Sequence, residues 1–155
     1  MKSQILAASI AAAFSFSAFA GECPADKRVP DGQGQKMASH GPKAVTDKVR
    51  ASVDLAKEAP NLPGRLFRLR ELEVGPGGIV PWHSHDQRPA MIYIVSGEII
   101  EYASNCAVPI VHKAGDVAAE ARGTSHWWQN TGKMGSKLIS VDIFPVADKI
   151  GEKMM

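Results

Sequence analysis

The sequence predicts an all-β fold, a sandwich or barrel built from many short strands. Short apolar runs recur along the chain and are separated at close spacing by glycine-rich turns. Several runs alternate apolar and polar residues, as the segments 49–55 and 139–143 do, which is the period of a strand with one buried face. After the N-terminal segment, no stretch of helical length has a 3.6-residue apolar period. With 155 residues, of which 45% are hydrophobic, the chain can bury one core and is expected to form one domain.

Residues 1–20 have the pattern of a signal peptide. Lys2 supplies a positive start, residues 5–19 are apolar or small, and Ala18-Phe19-Ala20 is typical of a cleavage site. The apolar run is shorter than the roughly 20 residues of a membrane span, although a buried or anchoring helix is the alternative interpretation. We expect cleavage after Ala20 and a periplasmic or secreted protein that has no membrane attachment once the segment is removed.

Residues 21–44 are expected to form an irregular N-terminal arm, because most of this segment is polar and rich in glycine, proline and lysine. The two cysteines are Cys23, in this arm, and Cys106. An even count in an oxidising compartment predicts a disulfide, which would pin the arm to the middle of the barrel. For a loop of about 80 residues the chain-entropy model gives roughly 4–5 kcal/mol as an upper figure. The alternative is two unpaired thiols, one of them a metal ligand. The spacing of the two cysteines gives this alternative no support.

The segment 45–148 is expected to form the barrel itself. Val45–Leu55 alternates well and predicts a first strand, at a sheet edge or in an oligomer contact. Ala59–Gly64 is rich in proline and predicts a turn.

The second strand, Arg65–Val74, has an apolar phase that slips. Phe67 and Leu69 share one face, whereas Leu72 and Val74 fall on the other. A bulge near residues 70–71 would reconcile the two halves. A turn is then predicted at 75–78, where three of four residues are glycine, before residues 79–82 lead into two histidines.

The remaining strands are short. Residues 90–95 are nearly all apolar, as expected for a strand covered on both faces. Further strands are predicted at Glu98–Ala103, Val108–His112, Val117–Ala119, Ser125–Asn130 and Lys137–Phe144.

A His-x-His pair, His83 and His85, follows the second strand. In an extended chain both imidazoles point to the same face, so they can approach one metal ion from a single strand. The surrounding residues resemble the first motif of the cupins: glycine, five residues, His-x-His, four residues, glutamate, six residues, glycine. Gly77, His83, His85 and Gly97 fall at these spacings, and Ala90 holds the glutamate position.

A second stretch resembles the second cupin motif. Gly115, Gly123, His126 and Asn130 match it, and Ala121 stands where the motif has proline, so that eight of ten specified positions agree over both motifs. The resemblance implies a double-stranded β-helix, or jelly-roll, barrel. It also implies that His126 joins the first two histidines inside that barrel.

Three neutral imidazoles on rigid strands would hold one divalent transition metal and leave two or three positions open. Imidazole serves iron, zinc, copper, nickel and manganese, so the metal is not distinguished. Because Ala90 supplies no carboxylate, the full charge of the metal would remain and favour an anionic or chelating ligand. Two alternatives stay open: Asp86 or Gln87 replaces the missing ligand, or the barrel has no metal and keeps its histidines as hydrogen-bonding groups.

The residues expected to line the pocket follow from strand parity and from position beside the motifs. Trp128 and Asn130 share the face of His126, whereas Trp127 is expected to pack in the core. Arg88 and Arg122 are the nearest cations that could fix a substrate. His40 and His112 lie outside the motifs and are interpreted as surface residues. The predicted pocket residues are Ala90, Ile92, Trp128, Asn130, Arg88 and Arg122.

The sequence therefore predicts an exported metal-binding cupin for a small anionic or chelating molecule, and it identifies no catalytic residue. Three-His cupins include dioxygenases, so a dioxygenase-like oxidoreductase is the most specific hypothesis. The alternatives are a non-catalytic small-molecule or metal-binding module and a metal-free structural barrel. The formal net charge is +2 without a basic stripe, which argues against nucleic acid as a partner. A homodimer could form through the strands before Gly75.

Overall fold

A computed structural model describes residues 21–38, 40–59 and 61–146, so the predicted signal peptide lies outside the described residues. The helical elements there are a 3₁₀ turn at Ala25–Lys27 and α1 (Leu55–Glu58), and no helix among the described residues is long and apolar enough to cross a membrane. The predicted all-β class is confirmed. The described strands are β1 (Lys43–Asp54), β2 (Arg65–Ser84), β3 (Ala90–Ser96), β4 (Glu98–Ala103), β5 (Ile110–Lys113), β6 (Val117–Glu120), β7 (Ser125–Gln129) and β8 (Ser136–Pro145).

The strands form an antiparallel, nearly closed barrel with the order β5-β4-β7-β2-β8-β3-β6, and β1 also pairs with β2. β2 belongs to both halves of the barrel. Its residues 65–74 pair with β8, whereas its residues 79–84 pair with β7. One strand therefore carries the chain from one sheet to the other, in the jelly-roll architecture that the motifs imply.

The turn predicted at residues 75–78 is wrong, because the chain runs through it as one 20-residue strand. Pairing with β1 jumps from Lys43–Ile79 to Val45–Val74, so this segment bulges out of the ladder. Gly77 has a φ of +68°, which L side chains rarely adopt. A Cβ on Gly78 would lie 2.7 Å from the Gly75 carbonyl oxygen. The glycines thus allow a bend within a strand, at the point where it changes partner.

The bulge predicted near residues 70–71 of β2 is also wrong. The ladder between β2 and β8 runs unbroken from Arg65 to Val74, and the nearby irregularity lies in β1, between Val49 and Ala51. The inward phase of the strand is constant, because Arg68 and Arg70 take the inward positions ahead of Leu72 and Val74. Phe67 and Leu69 face outward and are 45% and 38% exposed.

A buried carboxylate explains why arginines can face the interior. The Asp142 side chain on β8 accepts hydrogen bonds from Arg68 Nε at 2.9 Å and from Arg68 Nη2 at 2.6 Å. Arg70 Nε and Arg88 Nε lie 3.5 and 3.8 Å from the same carboxylate. Arg70 also pairs with Asp47 on β1. Buried charges persist only when they are paired, so this network is a second, ionic part of the interior beside the apolar core.

The predicted disulfide between Cys23 and Cys106 is confirmed. It ties the arm to the loop after β4, and backbone hydrogen bonds from Val29 to Asn105 and from Gly34 to Ser104 extend the contact. A Cβ on Gly34 would lie 2.4 Å from the Cys106 carbonyl oxygen, so only glycine permits this close approach.

Replacing both Cys23 and Cys106 with serine is expected to lower the free energy of unfolding by about 2–4 kcal/mol. The arm should detach before the barrel unfolds, since the disulfide joins the two. Urea unfolding measures the loss of stability, and limited proteolysis measures the release of the arm. The matched control, Ser52→Ala and Ser96→Ala on exposed positions, should change the free energy by less than about 0.5 kcal/mol. Equal stability and equal arm cleavage in the two double variants would contradict this role of the disulfide.

Candidate metal centre

Three histidine rings converge inside the barrel. His83, near the end of β2, pairs across the sheet with His126 on β7, and His85 follows just after the strand. The Nε2 atom of His126 lies 3.0 Å from Nε2 of His85 and 3.1 Å from Nε2 of His83. His85 and His126 are fully buried, and His83 is half-buried. The structure thus brings together the three residues that the motifs single out.

The other ring nitrogen of each histidine faces an acceptor. Nδ1 of His83 lies 2.9 Å from the Pro81 carbonyl oxygen, and Nδ1 of His85 lies 2.8 Å from that of Arg88. Because a carbonyl oxygen can only accept, these Nδ1 atoms carry the hydrogen and the Nε2 atoms carry the lone pairs. The Nε2 atoms of His83 and His85 thus face Nε2 of His126, to which the Trp128 indole N–H is a distant donor at 3.4 Å. A cation between the three rings would satisfy all three Nε2 atoms. The residues present therefore fit a divalent metal.

The protein environment keeps His83 and His85 neutral, which is the form that binds metal. Burial lowers the pKa of His85 to about 3, and the nearby His126 and Arg88 contribute to the shift. Burial likewise lowers the pKa of His83 well below its usual value. For His126, burial works in the same direction, but the carboxylates of Glu120 and Glu101 prevail and raise the pKa.

Glu101, on β4, contacts the side of the His126 ring that faces away from the other two histidines. Its Oε1 lies 2.7 Å from Nδ1 of His126, and its Oε2 lies 2.8 Å from Nε2 of His112. Burial by itself would raise the pKa of Glu101, but the hydrogen bonds from the two histidines lower it to about 2. The ionised carboxylate fixes the tautomer and the direction of the His126 ring. Glu101 is not among the site residues that the sequence predicts, although it has the inward phase of its strand.

The interpretation of His112 as a surface residue is wrong. Its ring is fully buried and stacks on Trp128 with centroids 4.5 Å apart. Trp127, expected in the core, instead faces outward, where it stacks on Tyr102 with centroids 4.1 Å apart. Both differences have the same cause. Polar residues around the three histidines take the inward positions of neighbouring strands.

Glu101→Gln is expected to weaken metal binding at the three histidines about 10- to 100-fold, because a neutral amide orients His126 less firmly. Isothermal titration of the metal-free protein with Zn²⁺ measures the effect. Glu98→Gln is the matched control, since Glu98 begins the same strand with its side chain 53% exposed. Equal Zn²⁺ affinities in the two variants would contradict the supporting role of Glu101.

A narrow cavity of about 30 Å³ adjoins the Nε2 atoms, enough for one or two water molecules. Three of the predicted pocket residues, Ile92, Trp128 and Arg88, line it. Trp128 meets His126 edge-on at an interplanar angle of 80°, and its indole Nε1 lies 3.1 Å from Nδ1. Arg70, which sequence reasoning missed, also lines the cavity and brings a second guanidinium group.

The other predicted pocket residues do not line this cavity. Ala90 packs in the apolar core, opposite Glu120 on β6. The Asn130 side chain is a structural element, since its amide donates to the carbonyl oxygens of Val74 and Met134 at 2.8 and 2.7 Å. Arg122 is exposed on a loop.

Neither suggested replacement for the missing glutamate reaches the centre. Asp86 and Gln87 are both exposed. The Asp86 carboxylate accepts a hydrogen bond from the Gly123 amide at 2.9 Å, and the Gln87 side chain accepts one from Arg65 at 3.3 Å. Within the described part of the chain, the ligand atoms grouped around the three Nε2 positions come from histidines alone.

Comparison with known proteins places this geometry in a family. A family model described as a cupin domain matches residues 70–142. The oxalate-binding protein of Thermotoga maritima is 36% identical over 89 residues, which are 57% of this chain and 70% of that protein. Auxin-binding protein ABP19a of Prunus persica is 26% identical over 130 residues, and nectarin-1 of Nicotiana plumbaginifolia is 29% identical over 104 residues. The matches cover 71% and 64% of this chain but only 62% and 45% of those two plant proteins.

Solved structures agree on the fold. The structure of a predicted oxalate decarboxylase from Thermotoga maritima superposes with a TM-score of 0.54 at 23% identity, over 79% of this chain and 98% of that one. The polyketide cyclase RemF of Streptomyces resistomycificus gives 0.53 at 21% identity, over 70% and 73% of the two chains. The antiparallel barrel, the two histidine motifs and these relatives lead to one conclusion: the protein belongs to the cupin family.

Proposed function

We propose that this protein binds one divalent transition metal through His83, His85 and His126 and uses it to hold a small anionic or chelating molecule. The observation that supports the proposal most is the meeting of three histidine Nε2 atoms with no carboxylate among them. A centre with three neutral ligands keeps the full charge of iron, zinc, copper, nickel or manganese. Such a centre attracts an anion into the open coordination positions.

The surroundings favour a small carboxylate as the ligand. Arg70 and Arg88 line the cavity beside the three rings and, besides their contacts with Asp142, add positive charge there. Arginine is suited to planar carboxylates. A relative named as oxalate-binding supports the same class of ligand. We take the site of action to be the periplasm or the exterior, with which a disulfide is compatible.

Titration of the Zn²⁺-loaded protein with oxalate tests this function, with neutral oxamide as the isosteric control. Oxalate is expected to bind at least about ten-fold more tightly, since a charge-assisted hydrogen bond contributes roughly 1.4 kcal/mol or more. His126→Ala should lose this binding together with the metal. Equal binding of oxalate and oxamide, or oxalate binding that does not need metal, would contradict the proposal.

A dioxygenase-like activity is the catalytic form of the proposal, because a three-His centre leaves positions for both substrate and oxygen. Elemental analysis of protein purified from its own compartment separates the classes. Iron, together with oxygen uptake on diketones, thiols or catechols, would make the protein an oxidoreductase. Zinc or copper without turnover would make it a binding module. The absence of stoichiometric metal would leave a structural barrel.

We also propose that the protein forms a homodimer through the outer face of β1, β2, β8, β3 and β6. Phe67, Leu69, Met91 and Tyr93 are 38–65% exposed on this face. Strand pairing joins Leu69 to Met91 through Val141, which makes the apolar surface continuous. A continuous apolar face of this kind is typical of a protein–protein contact. A second copy is a suitable partner, because a twofold axis places like apolar faces together.

Sedimentation velocity tests the dimer. The wild-type protein is expected to sediment as a dimer, and Met91→Lys with Tyr93→Lys as a monomer, because two buried charges would replace apolar contacts. Val111→Lys is the control, since Val111 is 41% exposed on β5, in the other half of the barrel. A monomeric wild-type protein at micromolar concentration would contradict the dimer.

A further inference from the structure

The side of His126 that faces away from the other two histidines carries a second set of ligand atoms. Glu101 Oε1 lies 2.7 Å and Glu120 Oε2 lies 3.3 Å from Nδ1 of His126. All three side chains are buried, and their ligand atoms lie within 4.8 Å of one another. Ligand atoms about 3 Å apart suit a divalent cation, whose bonds to nitrogen and oxygen are about 2.0–2.2 Å long.

Glu120 gives an independent indication of a missing ligand. Its Oε1 atom is buried and has no hydrogen-bond partner among the described residues. A buried polar atom without a partner is uncommon and calls for an explanation, such as an ion. A bound cation would satisfy both carboxylates.

The two carboxylates also border a route from the surface. A cavity of about 350 Å³ lies between the N-terminal arm and the barrel, and Glu101 and Glu120 form part of its wall. Thr124 and Asn105 line it with polar side chains, and the ion pair between Glu22 and Arg28 forms part of its wall on the side of the arm. This cavity is distinct from the narrow one beside the three Nε2 atoms. A hydrated cation could therefore reach Glu120 without passing the first centre.

We propose that Glu101, Glu120 and Nδ1 of His126 bind a second divalent cation, so that the His126 ring bridges two metal ions. The inference rests on the proposed function, which places the first ion at Nε2. When the second ion binds, the Nδ1 proton leaves to solvent and the ring bridges as an imidazolate. The two carboxylates and the imidazolate offset the added positive charge. Two oxygens and one nitrogen are a donor set suited to zinc or manganese.

Titration of the metal-free protein with Zn²⁺, read as bound zinc per chain, tests the second site. The wild-type protein is expected to bind two equivalents, whereas Glu120→Gln and His85→Ala should each bind one. Glu98→Gln, the exposed control on β4, should bind two. One equivalent in the wild-type protein that is unchanged in Glu120→Gln would overturn the second site, because Glu120 would then only support the His126 ring.

The same titration separates the two proposals. If zinc is lost from His85→Ala but not from Glu120→Gln, the first site stands and the second falls. If zinc is lost from Glu120→Gln but not from His85→Ala, the proposed function fails and the carboxylate site stands.

The wild-type protein with two equivalents of Cu²⁺ gives a test that needs no variant. Two copper ions joined by an imidazolate couple antiferromagnetically, so the low-temperature electron paramagnetic resonance intensity should fall below two spins per chain. Two full spins would exclude the bridge and overturn the proposal. A fall in intensity together with two bound coppers would support it, whether or not Glu120→Gln folds.

Discussion

Asp142→Asn is expected to lower the free energy of unfolding by about 3–5 kcal/mol, the usual effect of breaking a buried ion pair from one side. The Asp142 side chain is fully buried and accepts two hydrogen bonds from Arg68. It also lies near the guanidinium groups of Arg70 and Arg88. An asparagine has nearly the same shape but no charge, so it would leave buried arginines without their counter-ion.

Urea unfolding of the metal-free protein measures this loss, with Asp26→Asn as the control. The Asp26 side chain is 73% exposed and pairs with the exposed Lys27, so its loss should change the free energy by less than about 0.5 kcal/mol. A loss below about 1 kcal/mol in Asp142→Asn would mean that other groups neutralise the arginines.

His85→Ala is expected to weaken metal binding at the three-histidine centre by more than about 100-fold, which is the upper effect of changing a residue that only supports a ligand. The remaining two imidazoles cannot surround the ion, and a methyl group replaces a buried donor. Metal at 100 times its dissociation constant should stabilise the wild-type protein by about 2.7 kcal/mol. In a chain of this size that corresponds to a rise of roughly 5–11 °C in the unfolding midpoint.

Competition with a chromophoric Zn²⁺ chelator measures the affinity, and thermal unfolding with and without EDTA measures the stabilisation. His40→Ala is the control, because His40 is exposed and lies against Trp127 on the outside of the barrel. The control should keep both the affinity and the midpoint shift. If His85→Ala keeps them as well, the metal does not lie between the three rings.

The sequence predicts the three histidines because their order along the strands is simple. His83 and His85 are two apart in an extended segment, so they share a face whatever the register. His126 comes from the second motif, and only strand pairing brings it opposite His83. The same parity could have identified Glu101 and His112, since each is two residues from an apolar inward residue on β4 or β5 and therefore shares its face. They were overlooked because polar residues are usually assigned to the surface.

The inward arginines could not be predicted in the same way. A rule that places apolar residues inside assigns Phe67 and Leu69 to the core. The rule fails here because Asp142, on the paired strand β8, neutralises the inward arginines, and the sequence does not show that pairing. Only the fold reveals that Arg68 faces a carboxylate 74 residues away. The glycine-rich segment 75–78 has a similar limit. Its composition suits a turn and a bulge equally, and the change of strand partner decides between them.

Anomalous X-ray diffraction from crystals of the Zn²⁺-loaded protein tests the central claim most directly. We predict a peak about 2.0–2.1 Å from Nε2 of His83, His85 and His126, the usual zinc–nitrogen distance, with no protein carboxylate in contact with it. Three results would contradict a cationic centre held by three imidazoles: a peak found only elsewhere, rings too far apart to share one ion, or an acidic side chain beside the peak.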